Sequence, residues 1–396
     1  MNPSSVFTAL SIFTTFASII PVYHFIYRFL HIAPCLQGEG PGLLLYPRSS
    51  ETEEQGSRRE AAALVRRGSM YLHRGQPQRA IELYSRALAI AGDEAEAILY
   101  LRRGEACYQA GQYRQALSDC EKALRLHPAL AEAHYLRGRI CTRLAAYQQA
   151  LSSYTRALEL DPGLAMHIYP ERAALYQRRK ELHAALHDYC RALEYSPHEP
   201  SLAFQRAFIY LQLREPRQAI ADLNSVLQAR PNFACAYHYR ALASLYLQDL
   251  ARARQDCQRA TTLNPMHIDH GWLACWVTLC EERPQECIAE RLEALARTAP
   301  EQYVALLCQA VSAWIRGKQA TAQAVISRAL AAPGSEEHWG GLFWQAALWA
   351  AAGRETEAHQ ALREALIRGL PLPLLSPLRW ANPSFYEHYA RALLEA

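Results

Sequence analysis

A chain of 396 residues exceeds what one compact core usually holds, so two domains or a repeat array are expected. Its composition, 51% hydrophobic and 20% charged, is that of a folded protein and excludes wholesale disorder. The net charge of +4 is mild for this length and no basic face is concentrated, so nucleic acid is not an expected partner.

Residues 6–27, VFTALSIFTTFASIIPVYHFIY, contain no Asp, Glu, Lys or Arg. As a helix this run would reach roughly 33 Å, enough to cross a bilayer core of about 30 Å. Thr8, Ser11, Thr14, Thr15 and Ser18 dilute its apolarity, and Pro21 would kink it. No positive charge precedes it, which fits a cleaved signal peptide poorly. Three readings stand: a membrane anchor, a loose hydrophobic tail, or a start codon assigned upstream of the true one. For an anchor, Arg28, Arg48, Arg58 and Arg59 all follow the segment and would place the rest of the chain in the cytoplasm. The expected organisation therefore begins with a hydrophobic segment at 1–30 and a single N-terminal helix as tether. A flexible linker follows at 31–57, where GEGPG and SSETEEQGS lack the strand and helix context of a phosphate loop.

Downstream, Pro128, Pro162, Pro197, Pro231 and Pro265 stand 34, 35, 34 and 34 residues apart. Ahead of each lies a small or apolar pair, such as Ala123-Leu124 and Ala157-Leu158. Seven residues earlier comes an alanine in every unit: Ala116, Ala150, Ala185, Ala219 and Ala253. Twelve before that stands Gly104, Gly138, Ala173, Ala207 or Ala241. One more unit precedes these, with Gly68, Ala80, Tyr84 and Ala87, and with Gly92 in place of its proline. Small residues at fixed places let two antiparallel helices approach, larger ones fill between them, and the proline stops the second helix.

In period, small residues, aromatics and terminal proline the chain resembles the tetratricopeptide repeat family, whose helix-turn-helix unit is 34 residues long. The resemblance covers six units over 58–266. It implies an all-α fold, a right-handed α-solenoid whose concave face binds a peptide or protein partner. Over 267–370 the pattern weakens but persists in Gly317, Ala322, Ile326 and Ala329, and again in Gly353, Ala358, Leu362 and Ala365. Three divergent repeats are expected there, closed by a capping segment with a final helix at 371–396, since an end repeat must cover its apolar face. All seven tryptophans lie in this part.

A second pattern cuts across the first. Arg67, Arg103, Arg137, Arg172, Arg206 and Arg240 recur at one repeat place, and Asp119, Asp188, Asp222 and Asp256 at another. The third unit carries Ser153 at the aspartate place and the first Leu83. An arginine among packed helices needs a partner, because an unpaired buried charge is costly. The expectation is a ladder of structural ion pairs; the sharper alternative is a basic track for an acidic ligand.

By the resemblance, the first helix of each pair lines the concave face. That places His73, Glu105, Tyr108, Tyr135, Arg139, Gln177, Phe204, Phe208, His238 and Tyr246 in contact with a partner, aromatic residues being good contacts for a peptide. Family members that clamp a C-terminal carboxylate use paired lysines and asparagines; the lysines here, Lys122, Lys180 and Lys318, do not recreate that arrangement.

No phosphate loop, nucleophile elbow or zinc helix is present, so no catalysis and no cofactor are expected. His267, His270, Cys275, Cys280 and Cys287 form one dense group. Its spacing is not that of a structural zinc site, and Cys275 and Cys287 fall at small contact places, so packing rather than metal is expected. Eleven cysteines without secreted-scaffold spacing suit a reducing compartment. The functional expectation is a noncatalytic cytoplasmic scaffold for protein contacts, with a ligand-binding sensor that changes superhelix shape as the alternative.

Overall fold

The computed structural model describes residues 49–92, 96–298, 302–332 and 339–390. The segment 6–27, read above as a candidate tether, lies outside the described residues; among these, no helix is long and apolar enough to cross a membrane. Chain contacts divide the molecule after Gln55, and the repeats lie in the unit from Gly56 onward.

Nine antiparallel helix pairs follow one another among the described residues. They are α1 (Ser49–His73) with α2 (Pro77–Ala91), α3 (Ala97–Gln109) with α4 (Tyr113–Leu126), and α5 (Ala131–Arg143) with α6 (Tyr147–Leu160). Next come α7 (Ala165–Arg178) with α8 (Leu182–Tyr195), α9 (Pro200–Gln212) with α10 (Pro216–Ala229), and α11 (Ala234–Tyr246) with α12 (Leu250–Leu263). The divergent region adds α13 (Ile268–Glu281) with α14 (Glu286–Ala296), α15 (Tyr303–Ile315) with α16 (Gln319–Ala331), and α17 (Trp339–Ala351) with α18 (Glu355–Ile367). The fold is an all-α solenoid. Residues 49–57, expected as the end of a linker, are instead helical: the stretch holds good helix formers in Glu and Gln and no proline to stop it.

The small residues sit where the helices meet. Ala116, Ala150, Ala185, Ala219 and Ala253 have no exposed surface, nor do Ala173, Ala207 and Ala241. At Gly138 a side chain is excluded outright, since a Cβ there would lie 2.6 Å from the ring of Tyr154. Eight of the nine pairs turn through one residue with positive φ: Gly75, Gly111, Ala145, Lys180, Arg214, Gln248, Gly317 and Gly353. Four of these carry a side chain and bear a left-handed conformation that glycine adopts without strain.

The core changes character along the chain. From Leu64 to Ala243 it is a series of small clusters, each shared between neighbouring pairs. From Ala241 to Phe385 it is one continuous body, holding Trp272, Trp276, Phe343 and Trp344 in mutual ring contact.

The segment after α18 explains this. It forms a 3-10 turn (Leu372–Leu375), the short helices α19 (Leu378–Ala381) and α20 (Pro383–Phe385), and a π-helical turn (Tyr386–Ala390). Rather than covering only the last repeat, it runs back along the chain against α11 and α13, with Leu374, Leu375 and Leu378 fully buried. Trp276 Nε1 donates to the carbonyl of Leu374 (3.2 Å), and Trp380 Nε1 to that of Leu279 (3.0 Å). At the segment's start, Arg214 donates to the carbonyls of Gly369 (2.8 Å) and Arg368 (3.1 Å), and Tyr246 Oη to that of Gly369 (3.2 Å).

Moving a side chain into the left-handed turn position should be costly where glycine now stands. Gly111→Ala is expected to lower stability by about 1 kcal/mol, while Ala145→Gly should leave it unchanged or slightly raised, as read from urea denaturation.

Candidate partner-binding groove

The recurring arginines stand on first helices and face aspartates on the second helix of the same pair. Arg103 donates Nε and Nη2 to the two carboxylate oxygens of Asp119 at 2.8 and 2.7 Å. Arg172 does the same with Asp188 (2.6 and 2.9 Å), Arg206 with Asp222 and Arg240 with Asp256 (each 2.8 and 2.7 Å). All four carboxylates are buried.

The remaining Nη1 reaches the second helix of the preceding pair. Its acceptors are Ser85, Thr155, Cys190 and Asn224 respectively. One guanidinium thus ties three helices together. The aspartate hydrogen bond raises Arg103, Arg206 and Arg240 above the ordinary arginine value, outweighing burial.

Arg137, whose partner is Ser153, keeps the geometry without the charge. Its Nε donates to Ser153 Oγ (2.9 Å) and its Nη2 to Nδ1 of His134 (3.3 Å), whose Nε2 in turn donates to the Pro128 carbonyl (2.9 Å). Burial, joined by the Arg137 charge, lowers His134 despite that carbonyl, in keeping with a neutral ring that accepts from arginine. Arg67, opposite Leu83, is exposed.

Beside this frame lie the residues expected to face a partner, and they fall into three groups. In the first, Arg139 lies over the rings of Tyr108 (4.5 Å) and Tyr135 (5.7 Å). It pairs at 3.4 Å with Glu171 of α7, which accepts hydrogen bonds from Tyr135 (3.1 Å) and Tyr154 (2.9 Å). Arg143 Nε approaches the Tyr108 hydroxyl at 3.4 Å. Burial above all, with the Glu171 charge second, raises Tyr135 and Tyr154, so both hydroxyls stay protonated and donate. Glu105 pairs with Arg102 on its own helix (3.0 Å), and Gln177 accepts from Tyr189 (3.2 Å). His73 is exposed at the end of α1.

The second group is aromatic. Phe204 and Phe208 pack edge-on against Tyr239, with ring centres 5.5 and 5.4 Å away. His238 follows, 5.3 Å from Tyr239 and 5.1 Å from His270, which stacks on His267 at 4.1 Å. None of the three Nδ1 atoms has a hydrogen-bond partner among the described residues. Burial, joined by the neighbouring imidazoles, pushes His238 down to about 3 and His270 to about 4.

The third group is Tyr246 alone, and it is a correction. Its hydroxyl is taken by the Gly369 carbonyl and its ring by the Arg214 guanidinium (4.8 Å), so it faces the chain's own C-terminal segment rather than a partner. Cys287 is a second correction: it is exposed, and Ile288, Ala289 and Leu292 fill the contact of α14 instead. The extended backbone at Glu282 and Gln285, before α14, shifts the register of that helix. Cys275 and Cys280 are buried, and no group among the described residues has the geometry to hold a metal ion. The ten described cysteines are free.

Sequence reasoning passed over Glu171, Tyr154, Arg143 and Tyr239. Glu171 and Tyr239 stand one place before a ladder arginine, where Arg66, Arg102, Leu136 and Gln205 occupy the other units, so no repeated residue marked the position.

Two family profiles described as tetratricopeptide repeat match residues 59–126 and 101–165. Residues 59–165 belong to the tetratricopeptide repeat family. Among solved structures, a tetratricopeptide repeat protein from Parabacteroides merdae is 20% identical with a TM-score of 0.49, covering 63% of this chain and 98% of that one. YrrB, described as a TPR protein with an unusual peptide-binding site, is 19% identical with a TM-score of 0.44, covering 47% and 95%. RNA polymerase II-associated protein 3 from Homo sapiens is 26% identical over 102 residues, 26% of this chain and 15% of that protein's length. Tetratricopeptide repeats generally mediate protein–protein contacts and are generally noncatalytic.

Two tests follow from these side chains. Asp188→Ala strands Arg172 among three helices and should cost about 2–4 kcal/mol, measured as a lowered urea midpoint. For His238 and His270, folded values below the ordinary 6.5 mean that only the unfolded chain gains protons as acid is added. Their contribution is complete above pH 6.5 and is lost as pH falls toward 4, at up to about 1.4 kcal/mol per histidine per pH unit. A urea midpoint that falls between pH 7 and 5, less steeply in His238→Phe, is the expected result.

Proposed function

We propose that the chain is a noncatalytic scaffold that binds a peptide or a segment of a protein partner along the first helices of its N-terminal pairs. The observation that carries this reading is the cluster of Arg139, Tyr108, Tyr135 and Glu171. It gathers charge, hydroxyls and aromatic faces from three successive first helices, with the side chains of Arg139 and Glu171 about a third exposed. Partner contacts concentrate in half-exposed aromatic and arginine residues of this kind. Phe204 and Phe208 extend the surface toward the point where the C-terminal segment closes it at Arg214.

The continuous core from Ala241 to Phe385 favours a fixed shape in that half, and so a scaffold over a sensor that changes pitch. The test is crosslinked capture from native extract with the full chain, beside a folded triple variant, Tyr108→Ala, Tyr135→Ala and Phe204→Ala. A partner held by the natural chain and lost from the variant is expected. Equal retention by both would place the binding surface elsewhere, on the second helices or the tryptophan-rich half.

A further inference from the structure

Resting on that reading of the groove, we infer that its occupant is a peptide segment with an acidic side chain, received by Arg139 and Arg143 beside Tyr108 and Tyr135. The molecule supplies its own template. In the C-terminal half a proline-broken segment, a 3-10 turn followed by short helices, lies against α11 and α13. Two of the side chains that hold its main chain are Trp276, next to the small residue Cys275, and Tyr246, five residues after the small residue Ala241. In the third pair the same places, next to Gly138 and five residues after it, carry Arg139 and Arg143. The repeat thus presents in the N-terminal half, at the positions that hold main-chain carbonyls in cis, two guanidinium groups in place of indole and phenol donors.

Their charge is met only in part from within. Both oxygens of Glu171 already accept from tyrosine hydroxyls, and the 3.4 Å between Arg139 Nε and Glu171 is longer than a strong charge-assisted bond. Glu105 is paired with Arg102. Arg143 is exposed, touches only the Tyr108 hydroxyl, and has no carboxylate partner among the described residues. Arg178 repeats the place of Arg143 in the next pair and is also exposed. The local balance is positive, in contrast to the ladder arginines, each of which spends its charge on a buried aspartate.

A guanidinium held over a tyrosine ring, as Arg139 is, loses little further freedom on binding, which suits it to a carboxylate. The aromatic group at Phe204, Phe208 and Tyr239 lies on later first helices, α9 and α11, and would take an apolar residue of the same segment.

The experiment uses the full chain and three fluorescein-labelled short peptides, rich in Pro and Leu, with a central Glu-Glu, Gln-Gln or Lys-Lys pair. Binding is followed by fluorescence anisotropy. The Glu-Glu probe is expected to bind about tenfold tighter than the Gln-Gln probe, with the gap narrowing at high salt. Arg143→Gln, at an exposed position that leaves the fold intact by circular dichroism, should bring the Glu-Glu probe to the affinity of the Gln-Gln probe without altering the latter. Equal affinities for the Glu-Glu and Gln-Gln probes, indifferent to Arg143→Gln, would overturn the acidic preference while leaving the groove in place. No binding of any probe would remove the groove reading and the inference with it.

Discussion

A buried guanidinium shared among three helices is the constraint on which this solenoid rests. In an ordinary repeat array each interface is held by apolar packing, which is strong but indifferent to rotation. Here four carboxylates are taken out of water on second helices, and each is stabilised by an arginine that meets both of its oxygens. The third guanidinium nitrogen reaches the preceding pair, so the same side chain fixes both the pitch within a pair and the step to its neighbour. The close approach that makes this geometry reachable depends in turn on the alanines and glycines at the helix contacts, where a larger side chain would hold the helices apart. Where the aspartate is missing, a serine and a neutral histidine take the donated bonds, and the repeat keeps its place with no charge to satisfy.

The two halves of the repeat region reach stability by different routes. The N-terminal pairs have separate small cores, and each depends on its neighbours alone, as expected for a one-dimensional array. Beyond Ala241 the cores merge, because a segment from the chain's end lies across successive first helices and adds buried leucines and a phenylalanine to a cluster of indoles. Arg214 marks the junction. It sits at a strained turn position, and its guanidinium satisfies two carbonyls at the end of α18, where a cation is also favoured by the helix dipole. The first helices are thus divided: α11 and α13 are covered by the chain itself, while α3, α5 and α9 carry the clusters of arginine, tyrosine and phenylalanine.

That division also separates two kinds of arginine that look alike in sequence. Those of the ladder are consumed by the frame, and losing one partner would leave a largely buried charge unpaired. The others differ: Arg139 lies over two tyrosine rings and shares a carboxylate that already has two other donors, and Arg143 meets a tyrosine hydroxyl with no carboxylate partner among the described residues. Only the second kind has binding capacity left over.

The helix pairs, their turns and the ladder were legible in the sequence, because each depends on residues at fixed separation within one repeat or its neighbour. A proline every 34 or 35 residues, an alanine or glycine at each contact, and an arginine sixteen residues before an aspartate leave little freedom in how the chain can pack. What only the tertiary structure decided involves residues with no periodic mark. Glu171 joins the groove through hydroxyls on two other helices, and nothing at its repeat place signals this. Tyr246 has the sequence environment of a groove residue, yet it is taken by a carbonyl 123 residues away. Cys287 has the spacing of a contact residue, but the extended connection before α14 turns it outward. Local periodicity encodes how neighbours pack; where a distant, aperiodic segment lies down is set by which apolar surface and which unpaired carbonyls remain to be covered, and that is known only once the neighbours are in place.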